Sequence, residues 1–159
     1  MAEELRIAEG SKEDKYRLLY RQIQEMVADE TDIIARMANT AAMIHHTFGF
    51  WWTGFYRVSA EDDILVLGPF QGLVACTRIP YGKGVCGTAW AQNKSTVVPD
   101  VDLFPGHIAC SSASRSEIVI PLHERASDKV IAVLDIDSTE PAAFDETDRI
   151  WLESISELL

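Results

Sequence analysis

Apolar side chains recur every three or four residues from Lys12 to Asp29, at Tyr16, Leu19, Ile23, Met26 and Val27, and this spacing predicts an amphipathic helix. A second stripe, Ile33, Met37, Ala41 and Ile44, predicts another helix from about Asp32, with Thr31 or Asp32 as its cap and Gly49 as its stop. The period then falls to two. WWTGFYRV, ILVLGPF and the run around CTRIPYG, separated by Glu-Asp-Asp and glycine-rich turns, read as a meander of three strands. GKGVCGTAWAQN (82–93) reads as a short helix between strands, and STVVPDV as the next extended piece. Residues 102–116 hold Pro105, Gly106 and several serines, which predicts a loop. SEIVIPL and KVIAVLDIDS are rich in Ile and Val and joined by the polar link HERASD, so they predict a hairpin. FDETDRIWLESISELL closes the chain as a helix capped by Asp145, with Ile150, Trp151, Ile155 and Leu158 as its apolar stripe. This order predicts an α+β domain: a central, mainly antiparallel sheet with the long N- and C-terminal helices on one face.

Composition narrows the function more than the fold. At 159 residues and 47% hydrophobic, the chain suits one globular domain over residues 12–159, after a flexible N-terminus of residues 1–11. A net charge of -11 argues against nucleic acid, because phosphate binding needs clustered Lys and Arg. MAEELRIAEGSKEDKY is charged throughout, and no later run approaches the ~18 apolar residues of a membrane span. The expectation is a cytoplasmic protein with no membrane contact. Cys76, Cys86 and Cys110 form no C-x-x-C pair, and His45, His46, His107 and His123 complete none of the usual zinc spacings.

The hairpin brings acids together. Symmetry about Ala126 would set Glu117 opposite Asp135, with Asp137 two residues along on the same face. Val119, Ile131 and Val133 share that face and make it too apolar for a solvated one. Three packed carboxyls repel unless a cation, an ammonium group or a raised pKa relieves them, and Ca²⁺ or Mg²⁺ is the rival occupant. In WWTGFYRV the same alternation puts Trp52, Gly54 and Tyr56 on one face, so that a hollow between two rings could take a small apolar group. Cys110 lies among serines with His107 and Arg115 close in sequence, a setting that favours the nucleophilic thiolate. Cys76, read as starting a strand, and Cys86, among small neighbours, are both candidates for the thiol that captures an oxidised Cys110.

FWWTGFY, GKGVCGTAW, HIACSSASRSEIVIPL and LDIDS, with cysteine intervals of 10 and 24, resemble the free methionine-(R)-sulfoxide reductases, which are built on a GAF fold. The resemblance runs from about Tyr16 to the end. It departs at Ser111, where the family commonly has an aspartate. It implies a GAF-like domain in which Cys110 is the nucleophile, Cys76 the main resolving cysteine and Cys86 an auxiliary thiol able to pair with Cys76. It implies further that Glu117, Asp135 and Asp137 meet the polar groups of the substrate, while Trp52 and Tyr56 line the pocket for its methyl end. Glu117 is the first candidate for proton donor to the sulfoxide oxygen. The implied cycle passes through a Cys110 sulfenic acid and a disulfide reset by an external dithiol such as thioredoxin, with no metal or organic cofactor. Homodimerisation through the terminal helices is also expected. The competing reading is a GAF-type small-molecule or redox sensor without catalysis.

Overall fold

The protein is described by a computed structural model covering residues 4–159. Two helices open it, α1 (Lys12–Val27) and α2 (Ile33–Phe48), and both start where side chains satisfy otherwise unpaired backbone N–H groups. Ser11 and Asp14 form a reciprocal capping box on α1, while Asp32 accepts from the N–H groups of Ile34 and Ala35 on α2. Gly49 ends α2 at φ 66°, a left-handed conformation that costs glycine nothing. Of the flexible segment expected at 1–11, residues 1–3 lie outside the described residues. Further along it, the Arg6 backbone N–H donates to Gln22 Oε1 and its carbonyl accepts from Gln22 Nε2, both at 2.8 Å.

The chain then runs through β1 (Trp52–Ser59), β2 (Ile64–Gln71), β3 (Arg78–Pro80), α3 (Gly84–Gln92), β4 (Thr96–Val98), β5 (Ser116–His123), β6 (Val130–Ser138) and α4 (Glu146–Ser156). The six strands form one sheet in the order β3-β2-β1-β6-β5-β4, and every neighbouring pair is antiparallel. One face is covered by α1, α2 and α4. Tyr16, Leu19, Ile23, Met37, Ala41, Ile44, Leu152 and Ile155 pack there on Phe55, Ile118, Ile120, Leu134 and Ile136. Each large side chain so buried stabilises the fold by roughly 1.5–3 kcal/mol. Asp148, wholly buried, ties α4 to α1: its carboxylate accepts from Tyr16 Oη at 2.7 Å and from Lys12 Nζ at 2.6 Å.

The opposite face carries a second core of Trp52, Tyr56, Leu65, Ile79, Val119 and Val133 under α3. Among the described residues no long helix lies over its centre, and the loops around Cys76 and Cys110 close it instead. Three details differ from the sequence reading. The hairpin pairs Glu117 with Asp137 and Val119 with Asp135, a shift of two residues that keeps the three acids on one face because the strand period is two. Ile131 has no partner across the hairpin, at an irregularity between Leu122 and His123. Beyond it the alternation inverts, so Ile131 packs with the helical core and Val130 with the other. Cys76 lies in the loop before β3 rather than in a strand.

Candidate active site

The central strands β1, β6 and β5 present Trp52 and Tyr56, Asp135 and Asp137, and Glu117 to one cavity, which Cys86 on α3 and Cys110 and His107 on the long loop also line. Seven of the eight residues singled out in the sequence line this cavity, and the eighth, Cys76, is bonded to Cys110. The Cys76–Cys110 disulfide joins Cα atoms 5.4 Å apart. Cys86 remains a buried free thiol.

Strand aromatics hold both cysteine loops in place. Trp52 Nε1 donates to the Leu73 carbonyl at 3.0 Å, and Tyr56 Oη to the Cys76 carbonyl at 2.9 Å. Trp51 Nε1 donates to Ser111 Oγ at 3.2 Å, and that oxygen also accepts the Ala113 N–H, so the residue that departs from the family pattern pins the Cys110 loop. Ser114 Oγ donates to Asp137 Oδ1 at 2.6 Å. The hollow expected over Gly54 is filled. A Cβ there would fall 2.4 Å from Phe70 Cβ and 2.5 Å from the Trp52 ring, because Trp52 folds across the glycine and stacks on Phe70 with centroids 5.3 Å apart. The apolar side of the cavity is therefore the Trp52 and Tyr56 pair itself, stacked at 5.9 Å.

The acids are buried: Glu117 is 5% exposed and Asp135 6%. Burial, then the charge of Asp137, pushes the Glu117 carboxyl up to about 8. Burial and the Glu117 carboxyl hold Asp135 well above the usual carboxylate range. Burial and Asp135 raise Asp137 also, opposed by the Ser114 hydrogen bond and by His107. Asp135 Oδ1 is buried with no hydrogen-bond partner among the described residues, which leaves a proton held within the cluster, a water in the cavity or a donor group of a ligand to satisfy it. Cys86 Sγ donates to Glu117 Oε1 at 3.9 Å, and burial beside these acids raises its thiol far out of the thiolate range. His107 Nε2 lies 3.6 Å from Glu117 Oε2. Sequence reasoning named His107 and the loop serines only as neighbours of Cys110, without their contacts to Glu117, Trp51 and Asp137, and did not place Trp51 in the site. The available signals were the doubled tryptophan and the polar run around Cys110.

Once reduced to two thiols, the Cys76–Cys110 pair beside proton-holding carboxyls can take an oxygen atom from a protonated oxide onto one sulfur, as a sulfenic acid, and close that sulfur as a disulfide with release of water. The donor set Cys86, Glu117 and Asp135 also fits a metal ion by ligand type.

The comparisons with known proteins agree with this geometry. Residues 27–159 match the GAF domain family. GAF domain-containing protein A of Dictyostelium discoideum is 52% identical over 100% of this chain and 99% of its own. The free methionine-R-sulfoxide reductase of Escherichia coli is 47% identical over 91% of this chain and 86% of its own. The crystal structure of free methionine-R-sulfoxide reductase from Neisseria meningitidis, in complex with its substrate, superposes with a TM-score of 0.95 at 51% identity, covering 99% of this chain and 93% of that one. Fold, cavity and relatives agree, and the chain belongs to the free methionine-(R)-sulfoxide reductase family of GAF-domain proteins.

Proposed function

We propose that this protein reduces free L-methionine-(R)-sulfoxide to L-methionine, with Cys110 as nucleophile and Cys76 as resolving thiol. One observation carries the reading: the Cys76–Cys110 bond sits over a cavity floored by carboxyls whose pKa values are raised. A sulfoxide sulfur is a poor electrophile until its oxygen is protonated. Glu117, pushed up to about 8, holds a proton at neutral pH and gives it to that oxygen. The Cys110 thiolate attacks the sulfur, the oxygen passes to Cys110 as a sulfenic acid, and methionine leaves. The Cys76 thiol then attacks the sulfenic sulfur, which forms the disulfide and releases water, and Glu117 takes a proton back from solvent.

Asp137 is the acid best suited to carry charge, since Ser114 donates to it and it is only half-buried. It receives the substrate ammonium together with the unsatisfied Oδ1 of Asp135. Trp52 and Tyr56 face the methyl end. Cys86 stays protonated, and its donation to Glu117 suits it to supporting the acid more than to resolving Cys110. With the disulfide closed, the cavity holds about 40 Å³, little more than the roughly 30 Å³ share of one water. The ligand therefore enters after the bond opens and the Cys110 loop moves. A whole amino acid enclosed in this way leaves no exit for a peptide chain, so the free amino acid is the expected substrate over a peptide-bound residue. An external dithiol, thioredoxin in this reading, reopens the disulfide by exchange.

A thioredoxin-coupled assay tests the proposal with free L-methionine-(R)-sulfoxide, its (S) epimer and an N-blocked (R)-sulfoxide. Turnover confined to the free (R) form and abolished by Cys110→Ser is expected. No turnover of any sulfoxide would leave a sensor domain as the better account.

A further inference from the structure

We propose that Cys86, Glu117 and Asp135 form a binding site for a thiophilic divalent cation, Zn²⁺ foremost, which occupies the ammonium subsite and blocks the enzyme. One ligand atom from each of the three residues falls within 4.8 Å of the others, and all three residues are buried. Tetrahedral zinc, with Zn–S near 2.3 Å and Zn–O near 2.0 Å, has an S···O edge of about 3.5 Å. The Cys86 Sγ to Glu117 Oε1 distance is 3.9 Å, so that pair closes on an ion with a movement of a few tenths of an ångström, and the Asp135 oxygen, within 4.8 Å of both, has about an ångström or less to move.

A second observation, the pairing of Asp135, shows an acceptor left open beside these ligands. Asp135 Oδ1, on a side chain more than nine-tenths buried, has no hydrogen-bond partner among the described residues and belongs to a residue lining the cavity. Such an oxygen is costly to leave unpaired. A second residue of the strand face, Glu117, keeps its other oxygen 3.6 Å from His107 Nε2, which places a nitrogen donor at the edge of the set.

Ligand type selects the ion. Carboxylates alone would suit Ca²⁺ or Mg²⁺, which take oxygen ligands. A thiol beside two carboxyls favours zinc and disfavours both of those. On binding, the ion displaces the Cys86 thiol proton and the proton shared among the carboxyls to solvent. No electrons move, and the like-charge repulsion of the cluster is relieved.

The inhibitory half of the proposal rests on the reductase reading, and the binding half does not. The experiment therefore begins with the oxidised protein, whose closed Cys76–Cys110 bond removes those sulfurs as ligands. Calorimetric titration with Zn²⁺ is expected to give one-to-one binding, and Co²⁺ a thiolate charge-transfer band. Cys86→Ser should remove the band and weaken Zn²⁺ binding by at least about 100-fold, since loss of a mere supporting partner already costs about 10- to 100-fold. Glu117→Gln should weaken it as well, which guards against misfolding of a single variant. Absence of one-to-one binding, affinity unchanged in Cys86→Ser, or equal affinity for Mg²⁺ would overturn the site.

Methionine release in a single turnover by reduced Cys76→Ser protein, without added thiol, reads the inhibition. Zn²⁺ should suppress it and excess sulfoxide should relieve the suppression, while with the added Cys86→Ser change the fraction of metal-free release that Zn²⁺ suppresses should fall to nil, whatever the level of that release. Suppression that excess sulfoxide cannot relieve would overturn the competition. Failure of the metal-free protein to release methionine would count against the reductase reading, and the titration would still decide the site.

Discussion

Replacing Glu117 with glutamine should cost activity and add stability at alkaline pH. In the fold, burial and Asp137 push this carboxyl up from 4.5 to about 8. A group raised in this way contributes stability that is fully present below about 4.5 and is lost as pH rises through about 8, because the unfolded chain gives up the proton first. Between those values the native state binds one more proton, so stability falls by about 1.4 kcal/mol per pH unit from this group alone. Over the whole window the loss is roughly 5 kcal/mol, an upper bound because Asp135 and Asp137 share the same protons. Glutamine cannot ionise, and its amide can donate to Asp135 while its carbonyl accepts from Cys86. Urea unfolding of the oxidised protein at pH 5 and pH 8.5 is the assay. The variant should match the wild type to within about 1 kcal/mol at the lower pH and exceed it by several kcal/mol at the higher. Its turnover should fall by about 10²- to 10⁴-fold, the usual worth of a general acid. Equal pH slopes for the two proteins would refute the buried-proton account of Glu117.

Four further outcomes follow from the geometry. Cys76→Ser should release one equivalent of methionine without added thiol and accumulate a Cys110 sulfenic acid, detectable by mass after dimedone labelling. Ser114→Ala removes the 2.6 Å donor to Asp137 and should raise KM for the sulfoxide by about 10-fold, the value of one hydrogen bond to a charged group, with a smaller change in kcat. Gly54→Ala would drive a methyl into Phe70 and the Trp52 ring and should destabilise by about 1–3 kcal/mol in thermal unfolding, with the Cys76 loop loosened. Asp148→Ala leaves the buried Tyr16 hydroxyl and Lys12 without their acceptor and should cost about 3 kcal/mol in urea unfolding.

The sequence by itself determined the elements and the chemistry they carry. Helix boundaries were legible at Asp32, Gly49 and Asp145 because capping is local: a side chain answers backbone groups two or three residues away. The strand faces of Glu117, Asp135, Asp137, Trp52 and Tyr56 were legible because alternation is local too. The two-residue error in hairpin register left the acid cluster intact for the same reason, and only an odd shift would have scattered it. Tertiary structure decided whatever depended on groups distant in the chain. The ring of Trp52 over Gly54, packed on Phe70 of the next strand, could not be read from WWTGFYRV alone. The inversion at Ile131 came from pairing across the hairpin. The carboxyl of Glu117 became a proton store through burial and the approach of Asp137, and Cys76 met Cys110 because two loops 34 residues apart close over one sheet face. Proton affinity and thiol pairing are set by distance and dielectric, and both are properties of the packed molecule.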